Sequence, residues 1–208
     1  NSHTIIGNLD VNANLSMPDN YEVTGNVYVQ SGCLDISNDR EFVVNGDFRI
    51  QSENEDESFG KSTGYVRLHA GTKLTVYGDF YTESTSYNYF GDGSTSDPAI
   101  LELHGNFSQI GTDTYYFHYG TSYFKTIFAG DGEQHISFDK TDSGADLGRI
   151  EVLNTEQTIY LDTPMYRLYP LNSITIIGDV NVNILQGTGT NSHTIIGNLD
   201  VNANLSMP

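Results

Sequence analysis

The amino-acid sequence predicts an all-β fold: a single-stranded parallel β-solenoid wound as a right-handed β-helix, with about eight coils per unit and loop insertions. Three observations predict it. Residues 1–18, NSHTIIGNLDVNANLSMP, return letter for letter at 191–208. A short cue of Gly, then Asn or Asp, then an apolar residue recurs through the chain. Around each cue the apolar residues alternate with polar ones, and no stretch keeps a helical spacing.

The long repeat sets the organisation. The two copies are offset by 190 residues (191 minus 1), so residues 1–190 read as one unit and 191–208 as the start of the next identical one. An engineered overlap is the second explanation.

The short cue marks the corners. It stands at Gly7 and Asn8, Gly25 and Asn26, Gly46 and Asp47, Gly78 and Asp79, Gly105 and Asn106, and Gly178 and Asp179. Two further turns are expected at Gly130–Asp131–Gly132 and near Asn154. Glycine allows a corner that a Cβ resists, and a neighbouring Asn or Asp can hydrogen-bond nearby backbone. These Asn and Asp residues are therefore expected to form a structural ladder.

Strands lie between the corners. Val23, Val27 and Val29, then Leu34 and Ile36, then Leu74, Val76 and Phe80 alternate with polar residues, which marks strands with one buried face. A sandwich of hairpins could use such strands, but a corner with constant residue order inside a unit that tiles end to end favours stacked parallel coils. Right-handed winding follows from the preference of parallel crossovers.

The two ends carry no dedicated cap. Ile5, Ile6, Leu9, Val11 and Leu205 alternate as in an ordinary coil, and an uncapped strand edge invites pairing with another chain. Head-to-tail stacking of the protein on itself would give an open fibre.

Three stretches depart from the coil pattern and are expected to project as insertions: Gln51 to Gly64, Thr82 to Pro98 and Gly111 to Tyr123. Their candidate ligand residues are Tyr87, Tyr89, Asp92 and Asp97 in the second, and Tyr115, Tyr116 and Tyr119 in the third. Aromatic and acidic side chains together can hold a glycan, and Asp92 and Asp97 are candidate calcium ligands. Around them FGDGSTSD lacks the ligand spacing of an EF-hand, so a solvated loop is the competing reading.

Composition excludes several classes. The formal net charge is −18 with only 9 Lys plus Arg, which argues against nucleic acid and against anionic membranes as partners. No apolar run approaches the roughly 18 residues of a membrane span. Cys33 is the single cysteine, so there is no intrachain disulfide, and no zinc spacing occurs. Its alternation with Leu34 and Ile36 points it outward, where it could serve as an interchain thiol; a local bulge that turns it inward is the alternative.

An enzyme is not expected. Parallel β-helices host polysaccharide-active enzymes, but Arg40, Arg49, Arg67 and Arg149 stand singly in separate coils and no adjacent Asp pair occurs. The six histidines show no metal-binding spacing. No catalytic residue and no cofactor other than calcium is proposed.

The run from Phe48 to Tyr160, with GDFRIQSENED, STGYVRL, LTVYGDFYTES, AILELHGNFSQIG, FAGDGEQHISF and LGRIEVLN, resembles repeats of large secreted or surface-attached, adhesin-like proteins of Gram-positive bacteria. The resemblance implies a β-solenoid at the cell surface or outside the cell and brings no catalytic residues. This chain is more acidic and richer in Tyr. The combined expectation is a structural repeat module of an extracellular fibre or stalk, or an adhesin module whose loops bind glycans or partner filaments.

Overall fold

The computed structural model describes residues 1–51, 63–83, 88–90, 96–110, 117–119, 124–141, 144–154, 157–178, 180–187 and 191–206. The described residues contain strands and no helix. In most strands an alternating row of Val, Ile, Leu or Phe needs a dry face, and the chain supplies one by winding round a common axis.

The first five coils each contribute three strands. They are β1 (Ser2–Ile5), β2 (Leu9–Val11) and β3 (Leu15–Met17), then β4 (Asn20–Val23), β5 (Val27–Val29) and β6 (Cys33–Ile36). The third coil holds β7 (Glu41–Val44), β8 (Phe48–Ile50) and β9 (Tyr65–Leu68), and the fourth β10 (Lys73–Val76), β11 (Phe80–Thr82) and β12 (Asn88–Phe90). The fifth holds β13 (Ile100–Leu103), β14 (Phe107–Gln109) and β15 (His118–Tyr119).

Later coils contribute two strands to the ladders: β16 (Lys125–Phe128) and β17 (Glu133–Phe138), β18 (Arg149–Val152) and β19 (Thr158–Leu161), β20 (Arg167–Pro170) and β21 (Thr175–Ile177). The chain ends with β22 (Val180–Gln186), β23 (Thr194–Ile196) and β24 (Leu199–Ser206).

Every pairing is parallel and joins a strand to its equivalent one coil away. The first sheet runs β1-β4-β7-β10-β13-β16-β18-β20-β22-β24, the second β2-β5-β8-β11-β14-β17-β19-β21-β23, and the third β3-β6-β9-β12-β15. This is a parallel β-solenoid with three sides. Beyond β15 the third side is carried by irregular chain that still bonds coil to coil: Tyr166 N donates to Ala145 O at 2.8 Å, and Asn183 N to Tyr166 O at 2.9 Å.

The core is the stack of inward rows. On the first side Phe42, Leu74 and Leu101 lie in register, and on the second Val27, Phe48, Phe80 and Phe107 do so, all without solvent exposure. The phenylalanines of the second side stack face to face, Phe48 on Phe80 at 5.1 Å and Phe80 on Phe107 at 5.7 Å between ring centres. Phe117 inserts from the third side, edge-on to Phe107 at 4.8 Å and to Phe80 at 5.8 Å. Such aromatic stacking adds roughly 0.5–1.5 kcal/mol per pair to the burial itself.

Two of the expected insertions prove to be partly shaft. Asn88 and Phe90 of β12 are buried, Tyr89 pairs with Arg67 in the third sheet, and buried Phe117 directly precedes β15. The reason is length: strands of two or three residues give too little alternation to stand out. Residues 52–62, 84–87, 91–95, 111–116 and 120–123 of these stretches lie outside the described residues.

Candidate functional site

The most regular chemistry in the molecule is at the corner between the first and second sheets. Asn8 Oδ1 accepts from Asn26 N at 2.9 Å, Asn26 Oδ1 from Asp47 N at 2.8 Å, and Asp47 Oδ1 from Asp79 N at 3.0 Å. The ladder continues with Asp79 Oδ1 accepting from Asn106 N at 2.7 Å and Asn106 Oδ1 from His135 N at 2.9 Å. Each side chain thus ties its own coil to the next. Asn and Asp both serve because the rung itself uses the Oδ1 acceptor they share.

The glycine before each rung has a spatial task. A Cβ on Gly25 would lie within 3 Å of Asn8 Oδ1 and Gly7 O, and on Gly46, Gly78 and Gly105 it would meet the Asx oxygen and glycine carbonyl of the preceding coil in the same way. None of these four has a positive φ. At mid-shaft it is the close approach of coils, and not the backbone freedom expected of glycine, that excludes a side chain. Gly7 and Gly178 do adopt φ of 103° and 119°. The cue therefore reads as three functions in a row: Gly for clearance, Asx for the rung, and Phe or Val for the stack.

The named corners fall in two places. Those from Gly7 to Gly105 precede strands of the second sheet, whereas Gly178 follows β21, a strand of the second sheet, and opens the next corner. Asp179 lies outside the described residues. The expected turn at Gly130–Asp131–Gly132 joins β16 to β17, and that at Asn154 joins β18 to β19.

Two residues that continue the corner went unnoticed in the sequence. Gln134 is buried and accepts from Gly130 N at 3.1 Å while donating to Leu103 O at 3.1 Å, and Gln157 of the next coil is buried and donates to Gln134 Oε1. Their signal was available: in EQHISF, Gln134 shares the inward parity of Ile136 and Phe138. Asn88 is a second such case, accepting from Val66 N at 2.9 Å and donating to Phe117 O at 2.8 Å. A buried amide is tolerated when it bridges backbone groups of neighbouring coils.

Outside the shaft, cations and aromatic rings alternate with carboxylates. Arg49 lies in register between Tyr28 and Tyr81, reaches Asp47 at 2.8 Å and sits 5.7 Å from the Tyr81 ring centre. Burial raises the Asp47 carboxyl, but the hydrogen bonds from Arg49 and from the Asp79 backbone, with the Arg49 charge, outweigh it and leave the group below its ordinary range. On the third side Asp35 holds Arg67 at 3.4 Å and His69 at 3.0 Å, and Arg67 lies 5.3 Å from the Tyr89 ring centre. Four histidines, His3, His69, His104 and His135, each lie against a carboxylate.

Of the candidate ligand residues, Tyr89 is 37% exposed and packs edge-on to Tyr65 at 5.7 Å. Asp97 is exposed, and Tyr119 lies in β15 beside Tyr89. Tyr87, Asp92, Tyr115 and Tyr116 lie outside the described residues. Among the described residues no three of His, Cys, Asp and Glu converge to hold a metal ion.

Cys33 occupies the outward row, in register with Tyr65, yet is only 6% exposed. Burial pushes its thiol up, and a hydrogen bond with Tyr65 only partly counters this. The thiol is therefore covered at its place in that row. The cover comes from Tyr65, one coil away in space and 32 residues away in sequence.

No family model matches the chain. No curated protein and no solved structure is significantly similar to it. The resemblance to adhesin-like repeats therefore rests on the motifs themselves.

At both ends of the shaft the strand edges are open among the described residues: nothing pairs with the outer edges of β1, β2 and β3, or of β23 and β24. The final coil leaves Ile196, Leu199 and Leu205 about half exposed or more, at 55%, 48% and 61%.

Proposed function

We propose that this chain is a structural repeat module of a long extracellular fibre or surface stalk, its units stacked head-to-tail through open β edges. One observation carries the reading: an unbroken parallel ladder runs from β1 to β24 and carries the same 18 residues at each end. A shaft of this kind gives length and stiffness, because each coil is bonded by main chain, corner rung and core stack to the coils on either side. Its binding partner in this role is itself.

The test is electron microscopy of purified material. Thin filaments with an axial step of about 40 Å, the rise of about eight coils at about 4.8 Å each, support the reading. Compact particles of one size, with no axial repeat at any concentration, would sink it.

A second reading, an adhesin that binds glycans or neighbouring filaments, is favoured by the exposed surface of Tyr65, Arg67 and Tyr89, where rings and a cation alternate. Sugars stack on such surfaces. Glycan-array binding that disappears in Tyr89→Ala supports it; an array without binding leaves the spacer role alone.

A further inference from the structure

The two copies of the 18-residue segment have one sequence and two placements. Thr4 and Ile5 lie in β1 of the first sheet, paired with β4, but their copies Thr194 and Ile195 lie in β23 of the second sheet, paired with β21. Leu9–Val11 is β2 in the second sheet, whereas its copy at 199–201 pairs with Val180 to Val182, on the side that follows the second sheet. Leu15 lies in the third sheet, whereas its copy Leu205 pairs with Leu185, which in turn pairs with Leu168 of the first sheet. All three elements have moved forward by one side, in the same sense.

The corner moves with them. Gly7 and Asn8 open the corner between the first and second sheets, where Leu9 N donates to Asn26 O at 2.9 Å. Gly197 and Asn198 open the following corner, where Val180 N donates to Asn198 O at 2.8 Å and Gly178 N to Ile196 O at 3.1 Å. From β1 to β22, the ninth strand of the ten-stranded sheet, the chain winds eight turns, and β23 stands one side further on. The shift is physically acceptable because every side asks for the same thing: a short strand with alternate residues inward and a turn after it.

We propose that in a tandem array of this unit each unit is turned by one side of the shaft relative to the one before. The proposal rests on the repeat-module reading and adds its geometry. Equivalent surfaces, such as the Arg49 and Tyr81 row or the Arg67 and Tyr89 row, then face three directions in successive units. They return to line every third unit, after about 25 turns or roughly 120 Å. A fibre so built offers the same surface all round, and a multivalent partner meets it along one line only at every third unit.

Two measurements test this. In the 208-residue chain carrying Cys33→Ser, the pair Thr175→Cys and Thr194→Cys, which are register partners, should be joined by a short bis-electrophile crosslinker. The pair Tyr169→Cys and Ser192→Cys, which an unshifted copy would bring together because Tyr169 continues the first-sheet row that starts at Ser2, should not. The reverse pattern overturns the proposal. In an array of four units with Asp131→Cys in the same background, gold labels should step round three sides, the fourth in line with the first. Labels in a single line on a straight shaft overturn the rotation and leave the shaft reading standing; irregular beads without axial order overturn both.

Discussion

Asp47 Oδ1 accepts a hydrogen bond from the backbone N–H of Asp79 at 3.0 Å, across two coils that are 32 residues apart in sequence. The same oxygen lies where a Cβ on Gly78 would have to go. Rung and glycine are therefore one device, and each makes the other necessary.

Replacing the rung separates its acceptor from its charge. Asp47→Ala leaves the Asp79 N–H without its partner and should lower stability by about 1–3 kcal/mol. Asp47→Asn, which preserves Oδ1 as at Asn26 and Asn106 but gives up the charge facing Arg49, should lose less than Asp47→Ala in urea denaturation at neutral pH. Equal losses in both variants would show that the charge, and not the acceptor, matters there.

The glycine has its own control. Gly78→Ala should destabilise strongly, because the new Cβ meets the Gly46 backbone as well as Asp47, whereas Gly132→Ala meets nothing within 4 Å and has no positive φ. Melting temperatures of the two variants check this: a large drop for the first and little change for the second is expected.

The stacked ring at the centre should be the costliest to remove. Phe80 is fully buried and touches Phe48, Phe107 and Phe117. Phe80→Ala should lose about 3–5 kcal/mol, and Phe80→Leu considerably less, because it refills much of the space. Chemical denaturation of both variants measures the difference.

Cys33 should react slowly with a thiol reagent at neutral pH in the folded protein and rapidly in denaturant, since burial both covers the thiol and raises its pKa. Tyr65→Ala should speed the native reaction. Fast labelling of the unaltered folded chain would contradict the covered geometry.

Stability should fall in acid through Asp47. Its carboxyl is held below the ordinary value of 3.8, so the folded state binds that proton less readily than the unfolded one. The contribution is complete above the unfolded value and is lost as pH falls through the depressed folded one. Asp47→Asn should flatten the acid limb of a stability profile measured from pH 6 down to pH 2. An unchanged limb would assign the acid sensitivity elsewhere.

Much of this architecture was legible in the amino-acid sequence alone. The repeated Gly, Asx and apolar triplet, the alternation of Val23, Val27 and Val29, and the copied 18 residues determine a parallel solenoid and locate its principal corner, because a period-two pattern and a corner of constant composition are local properties. Tertiary structure decided the rest. Strands such as Asn88–Phe90 are too short to carry a pattern, the clearance around Gly25, Gly46 and Gly78 exists only when coils stack, and the cover on Cys33 arrives from the next coil. The side taken by the second copy shows the division most sharply: its residues are those of the first, but its place depends on the winding of all the coils before it, which no local sequence encodes.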